Sequence, residues 1–163
     1  MNAALLRPLT KLFLAFGTTI VVIALDQATK WWILERLMQP PRIVPVASFL
    51  DIVLVWNRGI TFGLFNTAGG AQPFAFSALA IVIAAGLLLW LRRVEHVGIA
   101  VAIGAILGGA IGNVLDRLRL GAVVDFIDFH IAGWHWPAFN VADSAISIAV
   151  CWIAVDALFG AKE

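Results

Sequence analysis

The polar residues of this chain are few, and they cluster. Asp26 and Lys30 stand four apart, Asn113, Asp116 and Arg117 follow at i, i+3 and i+4, and Asn140, Asp143 and Ser144 repeat that spacing. On a helix each set shares one face. Asn57 and Asp125 add an amide and a carboxylate from the segments between. Four carboxylates, Asp26, Asp116, Asp125 and Asp143, are thus available to converge on one polar pocket. Two aspartates held close together cannot both ionise cheaply, so one keeps a proton while the other acts as a base. Such a dyad can hydrolyse an amide: the ionised member takes a proton from an attacking water, and the protonated member hydrogen-bonds the carbonyl oxygen and helps protonate the leaving amine. Spacing alone does not choose the pair.

Other chemistries fit less well. No serine lies in a nucleophile-elbow context, and His130 and His135 share one loop, which disfavours a Ser-His-Asp set. His130, His135, Asp125 and Asp128 are near one another but without HExxH or comparable spacing, so no metal is expected, and the two histidines read as interfacial loop residues. No cofactor is expected.

The elements that must carry these residues are membrane helices. Of 163 residues, 62% are hydrophobic and 13% charged, with a mean hydropathy of +0.97, which no ordinary soluble domain of this length approaches. Four apolar stretches, about 12–34, 74–91, 97–115 and 139–159, are each close to the ~20 residues that cross a hydrocarbon core. They predict an all-α membrane protein of four spans in a single domain, 1–163. The stretch 37–73 opens with Pro40, Pro41 and Pro45, then a β-prone run at 49–56, and 123–129 alternates apolar and acidic residues, so short strands are expected at the membrane boundary. All the polar clusters fall on that side. Arg7, Lys11, Arg92, Arg93 and Lys162 sit in very short segments on the opposite side, which favours cytoplasmic termini and an outward-facing pocket. A net charge of +1 without a basic run excludes nucleic acid as a natural partner. The lone Cys151, in an apolar run, reads as a small buried hydrophobe, Asp116 as a partner for its neighbour Arg117, and Asp156 as a residue reaching the cytoplasmic interface. Trp56, Phe62, Phe65, Trp134 and Trp136 suit an aromatic belt.

Four stretches, Asp26-Gln27-Ala28-Thr29-Lys30-Trp31-Trp32, Asn57-Arg58-Gly59-Ile60-Thr61-Phe62-Gly63, Gly108 to Asn113 with Asp116-Arg117-Leu118 and Gly121 to Phe126, and Phe139-Asn140-Val141-Ala142-Asp143-Ser144, occur in the order found in one family. In these the chain resembles the bacterial lipoprotein signal peptidases (signal peptidase II). The resemblance implies an intramembrane aspartic endopeptidase of the cell inner membrane, with Asp125 and Asp143 as the catalytic dyad. It implies that Asn57, Asn113, Arg117 and Asn140 surround the dyad, orienting substrate or holding the aspartates, and that Asp26 and Lys30 support the pocket from the first helix. Gly59 and Gly63 are expected to permit backbone turns, and Gly108, Gly109 and Gly112 close helix packing. Thr61 departs from the smaller residue expected there, a change expected to bear on pocket shape and not on the implied chemistry. The implied partners are diacylglyceryl-modified prolipoproteins, cut just before the lipid-bearing cysteine, with membrane lipids and globomycin-type inhibitors. Two rivals remain: a small proton-coupled transporter, which predicts charges strung across the membrane, and a non-catalytic membrane scaffold, which predicts tolerance of Asp-to-Asn changes.

Overall fold

The structure, a computed structural model, describes residues 3–59 and 72–159. Thr61, Phe62, Gly63, Phe65 and Lys162, and the expectations attached to them, lie outside the described residues. Helix α1 spans Ala3–Trp32 and widens into one π-helical turn at Ile33–Leu37; strands β1, Val44–Ala47, and β2, Leu50–Asn57, follow. Then come α2, Gln72–Leu91; α3, Val97–Leu120; β3, Val123–Ile131; β4, Trp134–His135; and α4, Val141–Phe159. The strands form one antiparallel sheet in the order β1-β2-β3-β4. Both expected β-prone runs are therefore strands, paired with each other through β2 and β3.

Among the described residues, three helices are long and apolar enough to cross a membrane: Leu9–Leu37, Val97–Leu120 and Val141–Phe159. The apolar part of α2, Ala75–Leu91, is shorter. The outer surface is what a bilayer demands, since Phe13, Ile20, Val82, Ile148, Leu158 and Phe159 all point outward. Cys151 is exposed on α4, not buried as its sequence context suggested. In a chain solvated by lipid an apolar neighbourhood marks the outside as readily as the core.

Helix α3 is the centre, with α1, α2 and α4 all packed on it. Glycines make this possible, because lipid gives no hydrophobic drive for helix pairing and contact must come from close fit. A methyl group on Gly108 would lie 2.8 Å from the Thr19 carbonyl oxygen, and one on Gly109 would lie 2.6 Å from that of Ala142. Gly112 leaves room for the Asp26 carboxylate, as a methyl group there would sit 2.6 Å from its Oδ2. Gly104, not singled out from the sequence, faces the backbone carbonyl of Ala15. Thr19 stitches the same seam, its hydroxyl donating to Ala15 O and Gly104 O at 2.9 Å each. At the far end of this seam Lys11 Nζ donates to Val94 O at 2.8 Å, tying α1 to the α2–α3 turn. Gly121 ends α3 with φ of 73°, its N–H bonding Arg117 O, which turns the chain into β3.

Gly104→Ala must push α1 away from α3 along a rigid backbone contact. It is expected to lower stability by about 1–3 kcal/mol, read as a drop in thermal unfolding temperature in detergent; unchanged unfolding would mean the seam is not tight.

Candidate active site

The end of the bundle opposite Lys11 gathers every polar cluster singled out above. A cleft of about 760 Å³ opens there. Asn57, Gly59, Asn113, Arg117, Asp125 and Asp143 line its polar end. Leu79 and Ile83 of α2 and Ile146 and Ile148 of α4 line an apolar part. Asp26, Lys30 and Asn140 do not line the cleft; they lie buried behind it.

Local structure places each carboxylate. Asp125 is delivered by β3 and is 1% exposed. Its Oδ2 accepts from Asn57 Nδ2 at 2.9 Å across the β2–β3 pairing, and its Oδ1 accepts from Asn140 Nδ2 at 2.7 Å. Asn57 is held in turn, its Oδ1 accepting the Gly59 N–H at 3.1 Å in an Asx-type turn. Asp143 is placed by a capping box at the start of α4. The Asp143 N–H donates to Asn140 Oδ1 at 2.9 Å, and the Asn140 N–H donates back to Asp143 Oδ2 at 3.3 Å. Asp143 Oδ1 accepts from Asn113 Nδ2 at 2.8 Å. Each aspartate therefore has an asparagine amide on one side and the shared Asn140 on the other.

Burial pushes the Asp125 carboxyl up to about 7; the amide of Asn57 opposes this, the charge of Asp143 adds to it, and Asn140 and Lys30 oppose it. A carboxyl in this range still carries a proton near neutral pH, as dyad chemistry requires.

Beneath these two carboxylates lies a dry ionic cluster. Lys30, 3% exposed, contacts Asp26 Oδ2 and Asp116 Oδ2, each at 2.8 Å, and donates to Asn113 Oδ1 at 3.1 Å. Because an ammonium only donates, this contact fixes the Asn113 amide with its oxygen toward Lys30 and its nitrogen toward Asp143. The Asp26–Lys30 pair expected on one helix face is present. Asp116, however, pairs with Lys30 and not with Arg117, because adjacent helix residues point to different faces. Gln27, missed in the sequence, donates to Asp116 Oδ1 at 2.9 Å and to Asp26 Oδ2 at 3.1 Å. Its signal was an uncharged polar residue inside a span, flanked by the first motif's carboxylate.

Arg117 lines the cleft, with its guanidinium 5.8 Å from the Phe76 ring centre and its Nε buried without a partner among the described residues. His130 lies 3.3 Å from Asp51 and His135 lies 2.8 Å from Asp128, the two imidazoles stacking on the sheet. Among the described residues no group of three or more His, Cys, Asp or Glu is arranged to hold a metal ion.

Comparison with known proteins gives the family. The family model for signal peptidase (SPase) II matches residues 18–159. The chain belongs to the signal peptidase II family. It is 42% identical over 143 residues to the lipoprotein signal peptidase of Methylorubrum extorquens, covering 85% of this chain and 82% of that protein. It is 43% identical over 145 residues to that of Paraburkholderia phytofirmans, covering 87% and 83%. A bacterial membrane enzyme solved by the in meso method superposes with a TM-score of 0.79 at 31% identity, covering 91% of this chain and 92% of that one. Membership makes the chain a multi-pass membrane peptidase, and neither the transporter nor the scaffold reading is favoured.

Asn140 serves both carboxylates and caps α4, so Asn140→Ala is expected to cost about 2 kcal/mol. Thermal unfolding in detergent, together with faster hydrogen exchange at the Asp143 amide, measures it; an unchanged exchange rate would contradict the capping role.

Proposed function

We propose that Asp125 and Asp143 are the catalytic dyad of an aspartic endopeptidase that removes signal peptides from diacylglyceryl-modified prolipoproteins, cutting just before the lipid-bearing cysteine. The observation that carries this reading is that both carboxylates line one cleft, each oriented by its own asparagine and by Asn140 between them. A proton held at this pair hydrogen-bonds the scissile carbonyl oxygen while the ionised member removes a proton from the attacking water. The tetrahedral intermediate then collapses as the leaving amine takes up a proton. Arg117 and Asn57, at the polar rim, orient the substrate backbone. Gly59 shapes the rim beside Asn57, and Asn113, Asn140, Asp26 and Lys30 hold the carboxylates from behind.

The apolar part of the cleft between α2 and α4 suits a lipid-anchored substrate. A substrate tethered in the same bilayer is concentrated at the membrane surface, and its diacylglyceryl chains can lie along Leu79, Ile83, Ile146 and Ile148. In this reading α2 is the fourth span, the whole chain 1–163 is one membrane domain, both termini are cytoplasmic, and the cleft faces outward from the inner membrane. Globomycin-type inhibitors would compete for the same cleft.

Cleavage of a diacylglyceryl-modified prolipoprotein by purified protein in detergent tests the assignment. Asp125→Asn and Asp143→Asn are each expected to lower turnover by about 10²- to 10⁴-fold while the protein stays folded and still binds substrate. Normal cleavage by either variant would remove that residue from the dyad.

The pH profile supplies an independent check. Above the ordinary carboxyl range and up to about 7, Asp125 retains its proton, so a singly protonated dyad persists. As pH rises through about 7 that proton is lost, the pair becomes doubly charged, and kcat/KM is expected to fall. An alkaline limb lying several units higher would contradict the protonation assignment.

A further inference from the structure

The buried lysine makes three contacts, and each leads to the dyad. Two go to carboxylates that hold the backbone one residue ahead of a catalytic aspartate. Asp116 Oδ2 accepts the N–H of Val124, which precedes Asp125, at 3.2 Å. Asp26 Oδ1 accepts the N–H of Ala142, which precedes Asp143, at 3.0 Å. The third contact turns the Asn113 amide so that its nitrogen grips Asp143. We propose that Lys30, with Asp26 and Asp116, is the positioning hub of the site, one ammonium registering β3 against α4 so that the two reacting carboxylates stay in a fixed mutual geometry. This deepens the dyad reading and rests on it.

The arrangement is more specific than charge neutralisation requires. Lys30 and Asp26, four apart on α1, already satisfy each other as a helical pair. Asp116 joins from α3, leaving two carboxylates for one ammonium at a dry site, and a buried excess carboxylate persists only when it is fully hydrogen-bonded. The backbone N–H of Val124 and the amide of Gln27 supply that bonding, and Arg119 Nη1 holds Gln27 by its Oε1 at 3.2 Å. The charged groups facing the hub are Asp26 from α1, Asp116 and Arg117 from α3, Asp125 from β3 and Asp143 from α4, with Arg119 behind Gln27. Lys30 touches neither reacting carboxylate by hydrogen bond, so its influence runs through Asn113 and the two backbone amides.

The test compares Lys30→Met, Asp116→Ala and Asp116→Asn with wild type and Asp125→Asn in the prolipoprotein cleavage assay, across pH, with thermal unfolding of each. Lys30→Met and Asp116→Ala are expected to lower kcat by about 10- to 100-fold with KM within about twofold, since misplacing reacting groups acts on the chemical step. Asp116→Asn keeps an oxygen for the Val124 N–H and should recover most of kcat. The alkaline limb of kcat/KM should move in opposite directions, up when the Lys30 charge is removed and down when the Asp116 charge is removed. Wild-type kcat in the Met and Ala variants, an unmoved limb in Asp116→Asn, or an Asn variant no better than Ala would overturn the hub. So would failure of both Lys30→Met and Asp116→Ala to fold with an unmoved limb in Asp116→Asn, which would assign the cluster to folding alone. If Asp125→Asn cleaves normally, it is the dyad reading that fails.

Discussion

An ammonium group deep in a protein that is itself dissolved in lipid has no water to fall back on, and the site is organised around that fact. Lys30 must spend all its donors on protein acceptors, and those acceptors must come from different elements because no single helix supplies three. Asp26 comes from its own helix, while Asp116 and Asn113 come from the helix opposite. The glycine seam on α3 follows from the same requirement. The side chains can meet only if the helix axes approach, and Gly108 and Gly112 remove the side chains that would hold them apart.

Stability and chemistry are built from the same bonds here. Asn140 satisfies the first turn of α4 and orients Asp125 with one side chain, and Asn57 shapes its own turn while bonding the same carboxylate. A water-excluded pocket strengthens each of these contacts and makes each missing one costly. The neutral asparagine is well suited to such a place. It offers a donor and an acceptor from one rigid plane, whereas another charge would need a further counter-ion.

Much of this was legible in the sequence, for a physical reason. In an apolar chain each polar residue near a span must be explained, so Asp26, Lys30, Asn113, Asp125, Asn140 and Asp143 stand out by type alone, strand β2 by its β-prone residues and β3 by its alternation. Partners were harder to read. Asp116 was matched to its chain neighbour Arg117, though the helix turns them apart and Lys30 reaches it from α1. The spacing of Asn140 and Asp143 was read as a shared helix face, while its local meaning is a reciprocal cap. Cys151 was misplaced because apolar surroundings signify burial only when the solvent is water. Gln27 and Gly104 owe their importance to neighbours far along the chain, which no local pattern reveals.

The reciprocal cap at Asn140 and Asp143 has a bearing on drug resistance. An inhibitor seated in the cleft against Asp143 would press on a carboxylate that also caps the start of α4, so substitutions there that weaken its grip would also fray the helix that lines the cleft. Escape at Asp143 is opposed by folding, whatever part the carboxylate plays in the chemistry. The open routes lie along the apolar walls, where Leu79, Ile83 and Ile148 can change shape without disturbing a single hydrogen bond.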